Sequence, residues 1–283
     1  MKIGIGLPNQ VRDVDPTVLP AWAARAERAG FSTLGTVGRI AYPGVMDTVT
    51  LAAAAGATST IGLISNVMLA TVWPGQLLAK ELAGIDGVSG GRLTVGLGIG
   101  GRPDDFVAEA HPPKGLGKRF DRDLEAYRSF WTGQPVGGGD NPGVPAGTRE
   151  VPMLFGGMAP ASFARMAKWG VGYVAGSIPP EWVAGHFDQA RAAWKDAGRE
   201  GDPRLVAIAY FSLHDIDKGR ANIHDYYSVN GDFADQVAAG LSGGADAVRA
   251  TKAAFAELGA TDLIFNPGTA DLDEIERLAE IVL

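Results

Sequence analysis

Eight short apolar runs punctuate this chain, and a stretch of helical period follows each one. A polypeptide satisfies that pattern by laying parallel strands side by side with helical crossovers. The runs are Lys2 to Leu7, Ser32 to Val37, Ile61 to Leu69, Leu93 to Leu97, Met153 to Phe155, Gly172 to Ala175, Leu205 to Leu213 and Asp262 to Phe265. The first helix, Pro20 to Gly30, puts Trp22, Ala26 and Ala29 on one face with Gly30 as its C′ residue. Asp47 then reads as the N-cap of an alanine-rich helix reaching about Ser59. Further helices are predicted over Gln76 to Val88, Lys118 to Trp131, Ala161 to Trp169, Glu181 to Ala197, Ala245 to Leu258 and Leu272 to Val282. In the fourth of these eight, Phe120, Leu124, Tyr127 and Trp131 recur at the helical period, as core residues do. The simplest closed solution is an α/β fold, a (β/α)8 TIM barrel, with residues 1–283 as a single domain.

The chain can fill such a barrel: 46% of its 283 residues are hydrophobic and 40 are glycine. It has no cysteine, which removes disulfides, thiolate metal ligands and a thiol nucleophile together, so redox chemistry must belong to a bound cofactor. A net charge of −7 without a basic stripe argues against nucleic acid. The N-terminus lacks signal-peptide zones and no apolar run is long enough to span a bilayer, so no membrane partner and a cytoplasmic location are expected.

Four features suggest chemistry. Gly96, Gly98 and Gly101 satisfy G-x-G-x-x-G after a strand, but neither an immediate helix nor a correctly spaced acidic residue follows, which favours close packing over dinucleotide binding. Ser65-Asn66 interrupts a strand that should be buried on both faces, so one of the pair should point into the barrel and need a partner. Gly156-Gly157-Met158 leads into a helix with proline in its first turn, where free N–H groups suit an anion as readily as the glycines suit a tight turn. Arg39 and Arg102 follow the second and fourth strands, where a barrel places site residues; His111 and His214 also fall near predicted strand ends. The histidines show no metal-ligand spacing. The glycine- and proline-rich segment from Gly133 to Arg149 reads as a loop, either a lid or a passive connector.

The run Ala79-Lys80-Glu81-Leu82-Ala83-Gly84-Ile85-Asp86-Gly87-Val88-Ser89-Gly90-Gly91-Arg92-Leu93-Thr94-Val95-Gly96-Leu97-Gly98 resembles the A-K-x-x-A-x-x-D-x-x-S-G-G-R-L-x-x-G-x-G stretch of the luciferase-like monooxygenase family. Arg119-Phe120-Asp121, Trp131 and the Phe155-Gly156-Gly157 turn also fit. The resemblance implies a flavin or deazaflavin oxidoreductase whose ring lies at the C-terminal mouth against a bulge in the third strand, here Ser65-Asn66, often with a non-proline cis peptide. It further implies that Ser65 and Asn66 meet the ring, that Gly156, Gly157 and Met158 hold the phosphate, and that Arg102 replaces a basic residue missing at Ile99. Arg39 or His111 would then touch substrate. Deazaflavin members often carry an Asp-His pair where this chain has Gly38-Arg39.

The expected function is a monooxygenase-type oxidation of a small organic substrate with reduced FMN, supplied by a flavin reductase if not bound. A coenzyme F420-dependent hydride transfer is the alternative, and a non-catalytic flavin-binding protein a third reading. Dimers are common in the resembled family, so a homodimer is expected.

Overall fold

Side-chain alternation sorts each strand of the barrel into an inward and an outward face. The strands are β1 (Lys2–Gly6), β2 (Thr33–Thr36), β3 (Gly62–Ser65), β4 (Met68–Leu69), β5 (Leu93–Gly98), β6 (Met153–Gly156), β7 (Gly172–Val174), β8 (Arg204–Ser212), β9 (Ser242–Gly243) and β10 (Asp262–Pro267). They come from a computed structural model, which describes residues 1–108 and 114–283, the side chains of 107 and 108 excepted. Their pairings are parallel, and β10 pairs with both β1 and β8, which closes the ring. β3 and β4 are two halves of one stave, and β9 is a short spur on β8. Eight staves remain: the predicted (β/α)8 TIM barrel.

Outward residues such as Leu34, Leu63, Leu97, Phe155, Tyr173 and Phe265 pack with the helices in one continuous core. The outer helices are Val18–Ala29, Asp47–Ala57, Gly75–Ser89, Leu116–Trp131, Pro160–Trp169, Pro180–Asp196, Ala245–Glu257 and Glu274–Val282. Helix Val18–Ala29 shows the local logic: Leu19, Trp22, Ala23 and Ala26 are buried, and Gly30 stops it at φ +96°, where its N–H reaches back to Ala26 and Glu27.

The inward faces stack in layers. Where the strands begin, Arg204 grips Asp262 through two hydrogen bonds of 2.9 and 2.8 Å and reaches Thr94 across the barrel at 3.4 Å. Burial would raise the pKa of Asp262, but Arg204 outweighs it and holds the carboxyl below its usual value. Above lies an aliphatic plug of Ile64, Leu154, Val174, Val206, Ile208 and Ile264. Polar side chains and glycines occupy the level above that, at the C-terminal mouth.

One expectation changes and one open alternative closes. Asp47 is the first residue of its helix rather than the N-cap; Met46 holds that position and no side chain caps it. The 133–149 loop is a connector and not a lid: it joins the end of helix Leu116–Trp131 to the start of β6, on the face opposite the mouth. It is tied there by Lys80 Nζ to the Gly143 carbonyl at 3.0 Å and by Arg149 to Asp86 at 2.8 Å. The covering elements at the mouth are instead two helices after β8, Ile216–Tyr227 and Phe233–Ala239, and a short one after β5, Pro103–Ala108.

The family-like run also divides. Arg92 donates to the carbonyls of Ala55, Thr58, Ile61 and Ser89 and to the Thr58 hydroxyl, at 2.6–3.0 Å. It satisfies carbonyls left open where helix Asp47–Ala57 ends, on the strand-start face.

Candidate active site

The third stave breaks where the sequence predicts. The cis peptide is Asn66–Val67, one residue later than the expected Ser65-Asn66. Ser65 and Asn66 point to opposite sides, as alternation requires. The Ser65 hydroxyl donates to the Gly96 carbonyl at 2.8 Å and accepts from the Gly96 N–H at 3.0 Å, so it stitches staves three and four. Asn66 turns inward and is 6% exposed, yet both atoms of its carboxamide are without a partner. Leaving such a buried group unpaired costs about 1–3 kcal/mol. A ligand would supply the missing bonds.

Val67 explains the glycine pattern. A Cβ at Gly98 would come within 2.8 Å of its side chain, and one at Gly156 or Gly96 within 3.0 or 3.1 Å; a Cβ at Gly96 would also collide with the Ser65 carbonyl oxygen. Gly96, Gly98 and Gly156 therefore make room for the bulge, which is the close-packing reading of G-x-G-x-x-G.

Gly156 is buried under Val67, whereas Gly157 and Met158 are exposed, Met158 at 69%. Gly157 takes φ +114°, a conformation that glycine adopts without strain, and the following helix Pro160–Trp169 has no capping side chain. An anion could reach the N–H groups of this turn from solvent.

Arg39 and Arg102 converge on the helix Ile216–Tyr227. Arg39 is buried, donates to the Tyr226 carbonyl at 2.8 Å, and pairs with Asp104, with Asp105 at 3.7 Å. Asp105 in turn accepts from the N–H groups of Ile40 and Ala41 at 2.9 and 2.8 Å. The Arg102 guanidinium lies 5.0 and 4.9 Å from the ring centres of Tyr226 and Tyr227. Both arginines thus brace the roof of the mouth. His111 falls outside the described residues.

Two residues that the sequence reading left out of the site stand at the same mouth. Asp47 is 3% exposed, its Oδ1 has no partner, and its carboxylate fills the space that a side chain at Gly38 would take. Burial pushes its pKa from 3.8 to about 6, with the Thr36 hydroxyl acting in the opposite sense. Asn266, on β10, is 1% exposed with both carboxamide atoms unpaired. In sequence Asp47 looks like an ordinary N-cap, and Asn266 falls just beyond the run ending at Phe265. Extending that run to the mouth would have exposed Asn266; nothing local marks Asp47.

A cavity of about 140 Å³ lies beside Ser177, Ile208, Tyr210, Phe233 and Val237, next to the mouth. Among the described residues no cluster of His, Asp or Glu could hold a metal, and no helix is long and apolar enough to cross a membrane.

A buried bulge with open amide atoms at the C-terminal mouth of an eight-stave barrel marks a ligand site where barrel enzymes carry theirs. The family model described as luciferase-like monooxygenase matches residues 1–269, and the chain belongs to that family. An uncharacterized protein of Mycobacterium tuberculosis is 31% identical over 176 residues, covering 56% of this chain and 60% of that one; the match thus spans less than two thirds of the relative. A monooxygenase from Streptomyces bottropensis superposes with TM-score 0.78 at 24% identity, covering 99% of this chain and 97% of that one. An F420-dependent secondary alcohol dehydrogenase, in complex with an F420-acetone adduct, gives 0.82 at 15%, covering 99% and 98%. The FMN-bound oxygenating constituent of 3,6-diketocamphane monooxygenase from Pseudomonas putida gives 0.74 at 14%, covering 100% and 98%.

Proposed function

We propose that the protein oxidises a small organic substrate with reduced FMN held at the barrel mouth. The observation that carries this reading is Asn66: an inward carboxamide, 6% exposed, with neither polar atom paired. A flavin bound there supplies the electron and oxygen chemistry; the protein supplies orientation and exclusion of water. Asn66 would meet the ring edge, and the main-chain N–H groups of Gly157 and Met158 the phosphate. Gly156 shapes the bulge beneath. Ser65 and Arg102 act at one remove, Ser65 by fixing the bulge to Gly96 and Arg102 by bracing Tyr226 and Tyr227. Arg39 holds the same roof, and substrate enters beside it.

Titration with oxidised and reduced FMN and coenzyme F420 tests the reading. Binding of reduced FMN below millimolar concentration, with oxygen uptake that depends on an organic substrate, supports it. Failure of every one of these ligands to bind overturns it.

Asp47 favours a second reading, hydride transfer with the deazaflavin coenzyme. The chain has Gly38-Arg39 where an Asp-His pair is common in that branch, yet the Asp47 carboxylate fills the space above Gly38. A carboxyl with pKa about 6 can hold and release a proton near neutrality. Reduction of F420 by an alcohol without oxygen uptake would select this reading.

A further inference from the structure

Asn66 and Asn266 each bring a whole carboxamide to the mouth, two polar atoms apiece, and none of the four has a partner. Asn66 follows β3 on the third stave and Asn266 stands on β10, the eighth. The two staves between them carry glycine at this level: Gly6 of β1 pairs with Gly35 of β2, and Ile5 pairs with Phe265, which sets Gly6 level with Asn266. Each carboxamide leans over one of these glycines. A Cβ at Gly6 would collide with Asn266 Oδ1, and one at Gly35 would lie 2.5 Å from Asn66 Nδ2 and 2.8 Å from Ile264. Two amides thus flank a strip bare of side chains, above an aliphatic floor, and they form no hydrogen bond to each other.

We infer that Asn266 is a ligand-binding residue which, with Asn66, grips a planar imide edge, the sequence carbonyl, N–H, carbonyl. Two carboxamides offer an N–H donor to each carbonyl and an oxygen acceptor to the central N–H. Flavin and deazaflavin rings share this pyrimidinedione edge, so the inference rests on the proposed cofactor class but not on which member binds. A single amide could satisfy only one side of such an edge, which accounts for a second one on the opposite side of the glycine strip.

The test pairs a residue change with a ligand change. Wild type and Asn266→Ala are titrated with FMN and with its N3-methyl derivative, and with coenzyme F420, while thermal unfolding of each ligand-free protein is recorded. The expected result is a loss of about tenfold in affinity for FMN or F420 in the variant. Wild type should prefer FMN to the N3-methyl form by a similar factor, and the variant should lose most of that preference. The ligand-free midpoint of the variant should equal or exceed that of wild type, since two unpaired buried atoms are removed. Undiminished affinity in Asn266→Ala, or unchanged discrimination against the N3-methyl form, overturns the role of Asn266 while leaving the cofactor class intact. Failure of wild type to bind any flavin or deazaflavin overturns both.

Discussion

Arg39 Nη1 donates to the main-chain carbonyl of Tyr226 at 2.8 Å, tying the loop after the second stave to the helix that crosses the mouth. The same guanidinium lies 5.3 Å from the ring centre of Tyr42 and 5.7 Å from that of Tyr226, and it meets Asp104 and Asp105. The Arg39 side chain is 3% exposed and that of Asp105 1%. Removing Arg39 strands buried acid, so Arg39→Ala should destabilise the fold by about 3 kcal/mol. Arg39→Lys should lose less. Urea unfolding of the two variants checks the order, and equal stability of Arg39→Ala and wild type would contradict it.

Asp47 gives a pH signature. Its pKa in the folded state is raised from 3.8 to about 6, so the native protein binds more protons than the unfolded chain between those values. The stabilisation from the protonated form is complete below about pH 4 and is lost as pH rises through 6. Asp47→Asn should therefore gain on wild type by roughly 2–3 kcal/mol between pH 4 and pH 7.5, with a flatter stability curve. Chemical denaturation at the two pH values measures this difference; parallel curves would show that the carboxyl titrates normally.

Gly96 and Gly101 share a motif but not a fate. A Cβ at 96 would strike the Ser65 carbonyl oxygen, whereas one at 101 meets nothing within 4 Å. Gly96→Ala should cost about 1–3 kcal/mol or more, since main chain must move. Gly101→Ala should be neutral within about 0.5 kcal/mol. Thermal unfolding of the pair decides it, and a dinucleotide-type role would instead show up as matched losses of ligand affinity.

Arg92 makes its hydrogen bonds far from the mouth. Arg92→Ala opens carbonyls at the end of helix Asp47–Ala57 and should destabilise by about 3 kcal/mol. Flavin affinity of the protein that remains folded should match wild type. A selective loss of affinity would place this residue in the site after all.

The barrel was legible because strand and helix periods differ and alternate; all eight staves and their outer helices emerged from periodicity alone. The helix Ile216–Tyr227 was not, since Gly219, Ile223 and Tyr226 are its only buried residues and polar residues fill most of the rest. Asn66 was visible as polarity inside a buried strand. The cis bond lies at Asn66–Val67, one residue past the Ser65-Asn66 position that the family resemblance implied. Asn266 lay one residue past the last apolar run, and Asp47 gains its setting from Thr36 and Gly38 at the end of the preceding stave, a contact no local pattern marks.

The Ser89-Gly90-Gly91-Arg92-Leu93 signature, the most telling stretch of the primary structure, secures a helix end at the pole away from the barrel mouth. Kinship read from it therefore certifies the scaffold and is silent about the reaction. Arg92 anchors the barrel's floor, and whatever ligand the barrel takes is read by other residues at the opposite rim.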